Sequence, residues 1–218
     1  MLTQEEIKQL FVKSKAFIFD SHIVYTSGKH GKAYVNKDAL YPHTALTSLL
    51  CQQIALHFEK LQIEAVLAPA LGGIILSQWI AHHLSELSQR EVLGVYAEKS
   101  SDGESFVIKR GYDDLIRNKR VLIVEDILTT GISVKRVVET ARQIPCDVIG
   151  VAALCNRGAV TASQIGNVPE LFSLLEVNLE TWAPSNCPMC QQNIPINTSV
   201  GKGKSGVSLP LSLKGSGH

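Results

Sequence analysis

The chain reads as α/β, a parallel sheet flanked by helices, with a small helix-and-hairpin segment in front of it. Two patterns predict this. From Ala65 onward, short runs rich in Val, Ile and Ala alternate with segments whose apolar residues recur at helical spacing. One run, Arg120-Val121-Leu122-Ile123-Val124, is apolar without alternation, as expected of a strand buried on both faces. It leads into Glu125-Asp126-Ile127-Leu128-Thr129-Thr130-Gly131 and then a helix-like segment, Ser133 to Gln143.

Each element follows in order. Thr3 with Glu6 fits a capping box, and Ile7, Leu10 and Phe11 line one face of a first helix to about Lys15. Ile23-Val24-Tyr25 and Ala33-Tyr34-Val35 flank Ser27-Gly28-Lys29-His30-Gly31-Lys32, which predicts a hairpin with a polar, basic tip. Leu46, Leu49, Leu50, Ile54 and Phe58 predict a helix over about Thr44 to Leu61. Ala65 to Ala68 is a short strand, and Gly72-Gly73 opens a helix to about Leu87. Val92 to Ala97, Val121 to Val124, Val148 to Cys155 and Leu171 to Val177 read as strands, with Val134 to Gln143 helical. Between them, Glu98 to Gly111 is polar and reads as a flexible hairpin standing away from the sheet.

The chain's 218 residues suit one domain. A net charge of +1 gives no support for a polyanion-binding surface, so no nucleic acid is expected. No apolar run reaches the roughly 18–20 residues that span a bilayer, and the acidic, helix-like N-terminus does not resemble a signal peptide. Cys51, Cys146 and Cys155 sit in apolar stretches, as in a reducing compartment, so a cytoplasmic protein is expected.

In an open parallel sheet, ligands bind at the carboxyl ends of strands. Three such ends carry informative turns. Glu125 to Ser133 combines two carboxylates, the hydroxyls of Thr129 and Thr130, Gly131 and a helix start, which makes an anion cradle. The carboxylates suit sugar hydroxyls, directly or through a hydrated Mg²⁺; the plain alternative is a solvated Glu-Asp turn. Ala70-Leu71-Gly72-Gly73 lets backbone N–H groups approach a second anion, and equally suits close helix–strand packing. Arg157 suits a bidentate contact with a carboxylate, or a solvated loop. A phosphoribosyl diphosphate (PRPP) fits this set. Its 5′-phosphate goes to Thr129–Ser133 (through Thr130, Gly131 and Ile132), its diphosphate to Ala70–Gly73, and its ribose diol to Glu125 and Asp126. A carboxylate-bearing second substrate then sits near Arg157.

The order acid–acid–x–x–Thr–Thr–Gly resembles the PRPP signature of type I phosphoribosyltransferases, and nearly the full chain, to about Pro195, is similar to the orotate phosphoribosyltransferase family. The resemblance implies a type I phosphoribosyltransferase-like fold over residues 1–198. About 1–42 form an N-terminal hood, 43–198 the α/β core and C-terminal segment, and 199–218 a flexible tail. It implies transfer of the phosphoribosyl group from PRPP to orotate, with Mg²⁺ held mainly by PRPP near Glu125 and Asp126. PRPP binding falls on Ala70 to Gly73, Lys99 and Glu125 to Ser133, including Ile127 and Leu128. Orotate binding falls on Thr26, Ser27, Gly28, Thr129 and Arg157. Lys99 and Asp126 are the expected catalytic residues. A homodimer is implied, with the Ser100–Ser105 loop closing over the crevice.

Three departures stand out. Thr26 and Leu71-Gly72 occupy places where the family usually has lysines, and Ser100-Ser101-Asp102-Gly103-Glu104 replaces its Lys- and His-bearing loop. A short-loop subgroup with a Cys-Pro-x-Cys tail matches better, and Lys109 and Arg110 are candidates for the missing cations. Cys187-Pro188-Met189-Cys190 is a single C-x-x-C, which cannot fill a tetrahedral zinc site by itself, although two such pairs from two subunits could. The seven histidines show no ligand spacing; His30 alone falls near the crevice. Other readings are a transferase for a different nucleobase and a silent PRPP-sensing regulator.

Overall fold

The computed structural model describes residues 1–25, 27–177 and 179–201. Thr26 and the tail from Lys202 therefore lie outside the described residues. In chain order the elements are α1 (Gln4–Lys13), β1 (Phe17–Ile18), β2 (Ile23–Val24), β3 (His30–Gly31), β4 (Tyr34–Val35), α2 (Thr44–Phe58), β5 (Ala65–Pro69), α3 (Gly72–Ser88), β6 (Leu93–Lys99), β7 (Phe106–Val107), α4 (Tyr112–Leu115), β8 (Arg120–Leu128), α5 (Ile132–Ala141), β9 (Asp147–Asn156), β10 (Leu171–Glu176), β11 (Thr181–Trp182) and α6 (Pro188–Gln191). The described residues form two compact units: 1–16 with 36–177, and 17–35 with 179–201.

The larger unit holds a six-stranded sheet in the order β10-β9-β8-β5-β6-β7. Its first five strands are parallel, and β7 pairs antiparallel with β6 at the edge. The apolar runs explain the arrangement. Val121, Ile123, Val151, Ala153, Ala65 and Leu67 join α5 residues Val134, Val137, Val138 and Ala141 in one buried core. The alternate residues, Val66, Leu122, Val124 and Ala152, are equally buried, as the two-residue period requires when helices cover both faces. There α3 lies against β5, β6 and β8, and α2 against α3 and β10. At the N-terminus the capping box of α1 forms, with the Thr3 N–H donating to Glu6 Oε2 at 2.8 Å.

Three expectations need correction. First, β8 does not stop at Val124. It stays paired with β9 through Glu125↔Ala153, Ile127↔Cys155 and Leu128↔Asn156, so the two carboxylates sit in a strand and not in a turn. Second, the return arm after the Ser100–Ser105 tip does not stand away from the sheet. Phe106 and Ile108 are buried in the α5-side core, and Ser100 N–H donates to Ser105 O at 3.0 Å. Burying two large apolar side chains outweighs the polarity of the tip that precedes them. Third, the N-terminal hairpin closes sooner than its apolar flanks suggest. Tyr25 and Lys29 bond backbone to backbone at 2.9 Å, which pairs β2 with β3, while β4 pairs with β1.

The smaller unit contains that hairpin and the C-terminal chain. β3 is the centre of a three-stranded antiparallel sheet, β11-β3-β2, with Trp182 opposite His30 and Val24 opposite His30 on the other side. Asn197 N–H donates to His22 O at 2.8 Å. Histidine spacing along the chain showed no ligand set, yet His22 and His30 meet Cys187 and Cys190 here.

Gly150 offers a test of the packing. β9 carries an extra residue at this point, because Val121 pairs with Val148 but Leu122 with Gly150. A Cβ there would lie 2.8 Å from the Glu170 carbonyl oxygen and 3.3 Å from Phe58 Cε1. Gly150→Ala is expected to destabilise the protein by about 1–3 kcal/mol through overpacking. The urea midpoint should fall with an unchanged m-value; an unmoved midpoint would show that the Glu170 strand entry yields freely.

Candidate active site

The end of β8 sets the problem the site must solve. Glu125 and Asp126 are adjacent and only 8% and 6% exposed. Buried carboxylates need partners. Glu125 Oε1 accepts from Asp126 N–H at 3.0 Å, and Asp126 Oδ1 accepts from Ile127 N–H at 2.6 Å. The remaining oxygen, Asp126 Oδ2, accepts from Lys37 Nζ at 2.5 Å, with Tyr41 Oη at 3.4 Å. Burial, and then the charge of Asp126, push the Glu125 carboxyl far above the usual glutamate range, to about 8. Burial opposes the Lys37 ammonium, but the bond to Asp126 and the charges of Asp126, Asp38 and Glu125 outweigh it and raise the lysine. Burial chiefly, then the same two carboxylates, raise the Tyr41 hydroxyl.

Neither Lys37 nor Tyr41 was found by reading the sequence. They lie 89 and 85 residues from Asp126. The available signal was indirect: a buried acid pair with no cation at Leu71 or Gly72, where the resembling family has a lysine.

The Ala70–Gly73 turn lies beside this pair. Ala70 N–H donates to Ala97 O at 2.8 Å, which ties the turn to β6. The Ala70–Leu71 peptide is cis, and the Leu71 side chain is largely exposed. The two glycines do different work. A Cβ on Gly72 would fall 2.1 Å from Asp126 Oδ2 and 2.7 Å from Lys37 Nζ, so its lack of a side chain admits the ion pair. A Cβ on Gly73 would fall 2.7 Å from Ala68 Cβ, so Gly73 serves helix–strand packing. The packing reading of the Gly-Gly pair thus holds at Gly73, while Gly72 makes room for a side-chain ion pair that the sequence did not suggest.

At the next turn, Gly131 has φ +73° and caps α5. A Cβ there would meet Ile165 Cγ2 at 2.7 Å, so a left-handed backbone and close packing both call for glycine. A cleft of about 140 Å³ opens here, lined by Glu125 and the run from Ile127 to Val134. It contains the Thr129–Ser133 cradle expected for a phosphate. The third strand end is knitted to it: Arg157 and Gly158 N–H both donate to Leu128 O, at 2.9 and 3.2 Å. Arg157 Nε donates to Thr129 Oγ1 at 2.9 Å, so two of the residues expected to meet orotate touch each other. A Cβ on Gly158 would lie 1.7 Å from Thr129 O, so only glycine permits this approach.

Lys99 is exposed at the end of β6, two residues beyond Ala97, the partner of Pro69. Lys109 and Arg110, the candidate loop cations, both face Glu98, at 3.9 and 2.7 Å. In the smaller unit, Ser27 and Gly28 form the turn between β2 and β3. Gly28 has φ +80° and donates to Tyr25 O at 2.9 Å.

Comparison with known proteins adds an independent line. Residues 40–185 match the phosphoribosyl transferase domain. The orotate phosphoribosyltransferase of Desulforamulus reducens is 34% identical over 194 residues, covering 89% of this chain and 95% of that relative. That of Pelotomaculum thermopropionicum is 35% identical over 89% of this chain and 95% of its own. Among solved structures, the Mycobacterium tuberculosis orotate phosphoribosyltransferase in complex with inorganic phosphate gives a TM-score of 0.62 at 18% identity, covering 80% of this chain and 97% of that one. An adenine phosphoribosyltransferase from Saccharomyces cerevisiae gives 0.61 at 19%, covering 79% of this chain and 100% of its own. The fold is thus shared by enzymes for different bases and does not choose between them.

The Glu125 environment predicts a pH effect in the ligand-free protein. Its folded pKa is raised, so its contribution to stability is fully present below the ordinary glutamate value of 4.5 and is lost as pH rises through about 8. Glu125→Gln cannot ionise. The stability difference, wild type minus Glu125→Gln, should therefore fall between those values, as read by denaturation midpoints at a series of pH. Parallel profiles would mean that Glu125 is ionised in the fold at ordinary pH.

Proposed function

Because the chain belongs to the orotate phosphoribosyltransferase family, we propose that it transfers the 5-phosphoribosyl group of PRPP to orotate, giving orotidine 5′-monophosphate and diphosphate in pyrimidine (UMP) biosynthesis. The observation that carries this reading is the meeting of Thr129 and Arg157 across two strand ends, beside the Thr129–Ser133 cleft. It sets a hydroxyl- and N–H-rich turn suited to a phosphate beside an arginine suited to a carboxylate, at adjacent strand ends.

In this reading the backbone of Thr130 to Ser133 and the start of α5 hold the 5′-phosphate. Glu125 and Asp126 accept from the ribose hydroxyls. The Ala70–Gly73 backbone holds the diphosphate, with the Lys37 ammonium beside Gly72 and Lys99 at the end of β6 as cations. C1 parts from diphosphate with oxocarbenium character, so the residues position and stabilise charge and supply no nucleophile. Arg157 orients orotate through its carboxylate and aims N1 at C1. The oxygen-only donors at this strand end fit a hydrated Mg²⁺. Both oxygens of Asp126 already accept protein hydrogen bonds, which favours a metal carried by the substrate, with Glu125 and Asp126 near it. When bound, Mg²⁺ offsets charge growing on the diphosphate.

The working form proposed is a cytoplasmic homodimer. The dimer comes from the family resemblance. The compartment rests on the apolar setting of the cysteines, of which Cys51 and Cys155 are fully buried. No helix among the described residues is long and apolar enough to cross a membrane.

The direct test is loss of orotate absorbance when PRPP and Mg²⁺ are added to the purified protein, with adenine, hypoxanthine and uracil as controls. Consumption of another base in place of orotate, or of none, would overturn the assignment. A second expectation concerns base choice. Losing a hydrogen bond to a charged group costs about 1.5–3 kcal/mol, so Arg157→Ala should weaken orotate binding roughly tenfold to 150-fold. PRPP affinity should change little. Isothermal titration of each ligand into both proteins checks this; retained orotate affinity would make Arg157 an ordinary loop residue.

A further inference from the structure

Outside the candidate active site, the most concentrated chemistry among the described residues is a four-residue cluster in the smaller unit. His22, His30 and Cys187 are buried, at 2%, 4% and 0% exposure, and Cys190 is partly so. Their ligand atoms all lie within 4.8 Å of one another. His22 Nε2 is 2.8 Å from His30 Nδ1 and 3.6 Å from Cys190 Sγ. Cys187 Sγ is 3.7 Å from His22 Nε2, and Cys190 Sγ is 3.3 Å from His30 Nδ1.

These separations have a chemical meaning. A tetrahedral zinc ion with Zn–S of about 2.3 Å and Zn–N of about 2.0–2.1 Å sets its nitrogen and sulfur ligands about 3.5 Å apart. The three N···S distances, 3.3 to 3.7 Å, bracket that value. The two nitrogens, at 2.8 Å, need to part by about half an ångström to reach the N···N edge of such a site. A second observation points the same way. His22 Nδ1 lies 2.7 Å from the Ile194 carbonyl oxygen. A carbonyl can only accept, so Nδ1 carries the proton and Nε2 turns its lone pair toward the cluster. This is how metal-binding imidazoles are oriented by their outer partners.

We propose that the chain binds one zinc ion in a closed tetrahedral site made by His22 Nε2, His30 Nδ1 and the thiolates of Cys187 and Cys190. Two thiolates and two neutral imidazoles balance the ion's charge, and binding releases the two thiol protons. With S₂N₂ donors and no open position, the site is structural. One chain completes it, so no second C-x-x-C from a partner is required. The C-x-x-C starts α6, the histidines come with β2 and β3, and the ion therefore joins the two ends of the sequence within one unit. A different group, His82, His83 and Glu86, follows one helix, and His83 Nε2 is already bonded to Ser48 Oγ at 2.9 Å.

The test is elemental analysis and cobalt substitution of the full chain. Protein purified from zinc-supplemented medium should contain about one zinc per chain, as one closed site requires. Removing the metal with a chelator should lower the melting temperature, and Zn²⁺ but not Mg²⁺ should restore it. Co²⁺ added to the metal-free protein should give the visible absorption of a tetrahedral site with thiolate charge-transfer bands. The double variant Cys187→Ser, Cys190→Ser should lose the zinc, while His30→Cys, which keeps a ligand, should retain it. Zinc retained in the double variant would overturn the proposal. So would zinc-free wild type that shows no tetrahedral cobalt spectrum, and that measurement decides the matter even where the double variant fails to fold.

Discussion

Burying two adjacent carboxylates at the end of β8 is the constraint around which the larger unit's polar chemistry is arranged. An isolated buried charge is expensive, and two like charges side by side are more so. Three features answer it together. Lys37 brings an ammonium to Asp126, Gly72 leaves the space that ammonium and carboxylate occupy, and Glu125 takes up a proton more readily than an ordinary glutamate. Positions 37, 72 and 126 are therefore one unit of design. A side chain at position 72 would strike both members of the pair, and loss of the ammonium would leave a buried charge without its partner.

The second organising fact is backbone geometry. The Leu128 carbonyl accepts two N–H groups, from Arg157 and Gly158, at the point where β8 and β9 end side by side. Gly158 lets the chain pass so close to Thr129 that the Arg157 guanidinium reaches the Thr129 hydroxyl. Asn156 then locks the following turn by accepting from Val160 N–H and donating to Val160 O, at 3.0 and 2.9 Å. The side-chain contact that carries the functional reading is thus a consequence of main-chain pairing. Such a contact is pre-organised, and little ordering remains to be done when a ligand arrives.

What the sequence revealed and what it concealed divide along physical lines. Local patterns were legible: the capping box at Thr3, the helical stripe from Leu46 to Phe58, the apolar run of β8, and the glycines at 72, 73 and 131. Contacts across the chain were not. Nothing in the order of residues ties Lys37 to Asp126, because the tie depends on where the segment after β4 passes. Two adjacent acids look like the end of a strand, but pairing with β9 carries β8 on through them. The polar tip at Ser100–Ser105 suggests a detached hairpin, while Phe106 and Ile108 hold its return arm in the core. The histidines looked scattered for the same reason as Lys37: His22 and His30 meet the cysteines only through antiparallel pairing of β2, β3 and β11.

The smaller unit poses a different stability problem. Its strands are two residues long, and sheets of that size are marginal in water. Its two halves also lie at opposite ends of the chain, so bringing them together carries a closure entropy that short strands repay poorly. Three kinds of tie act on the same place. Asn197 bonds to His22 O and Ser21 Oγ, Ile194 O takes the His22 ring, and the Cys187–Cys190 turn closes on both histidines. A metal cross-link adds what the strands lack, because its binding energy is folding energy for the segments that supply ligands. The turn with Ser27 and Gly28 is borne on the hairpin between those histidines. The C-terminal chain is therefore part of the framework that presents this turn, although it contains no residue of the transferase signature.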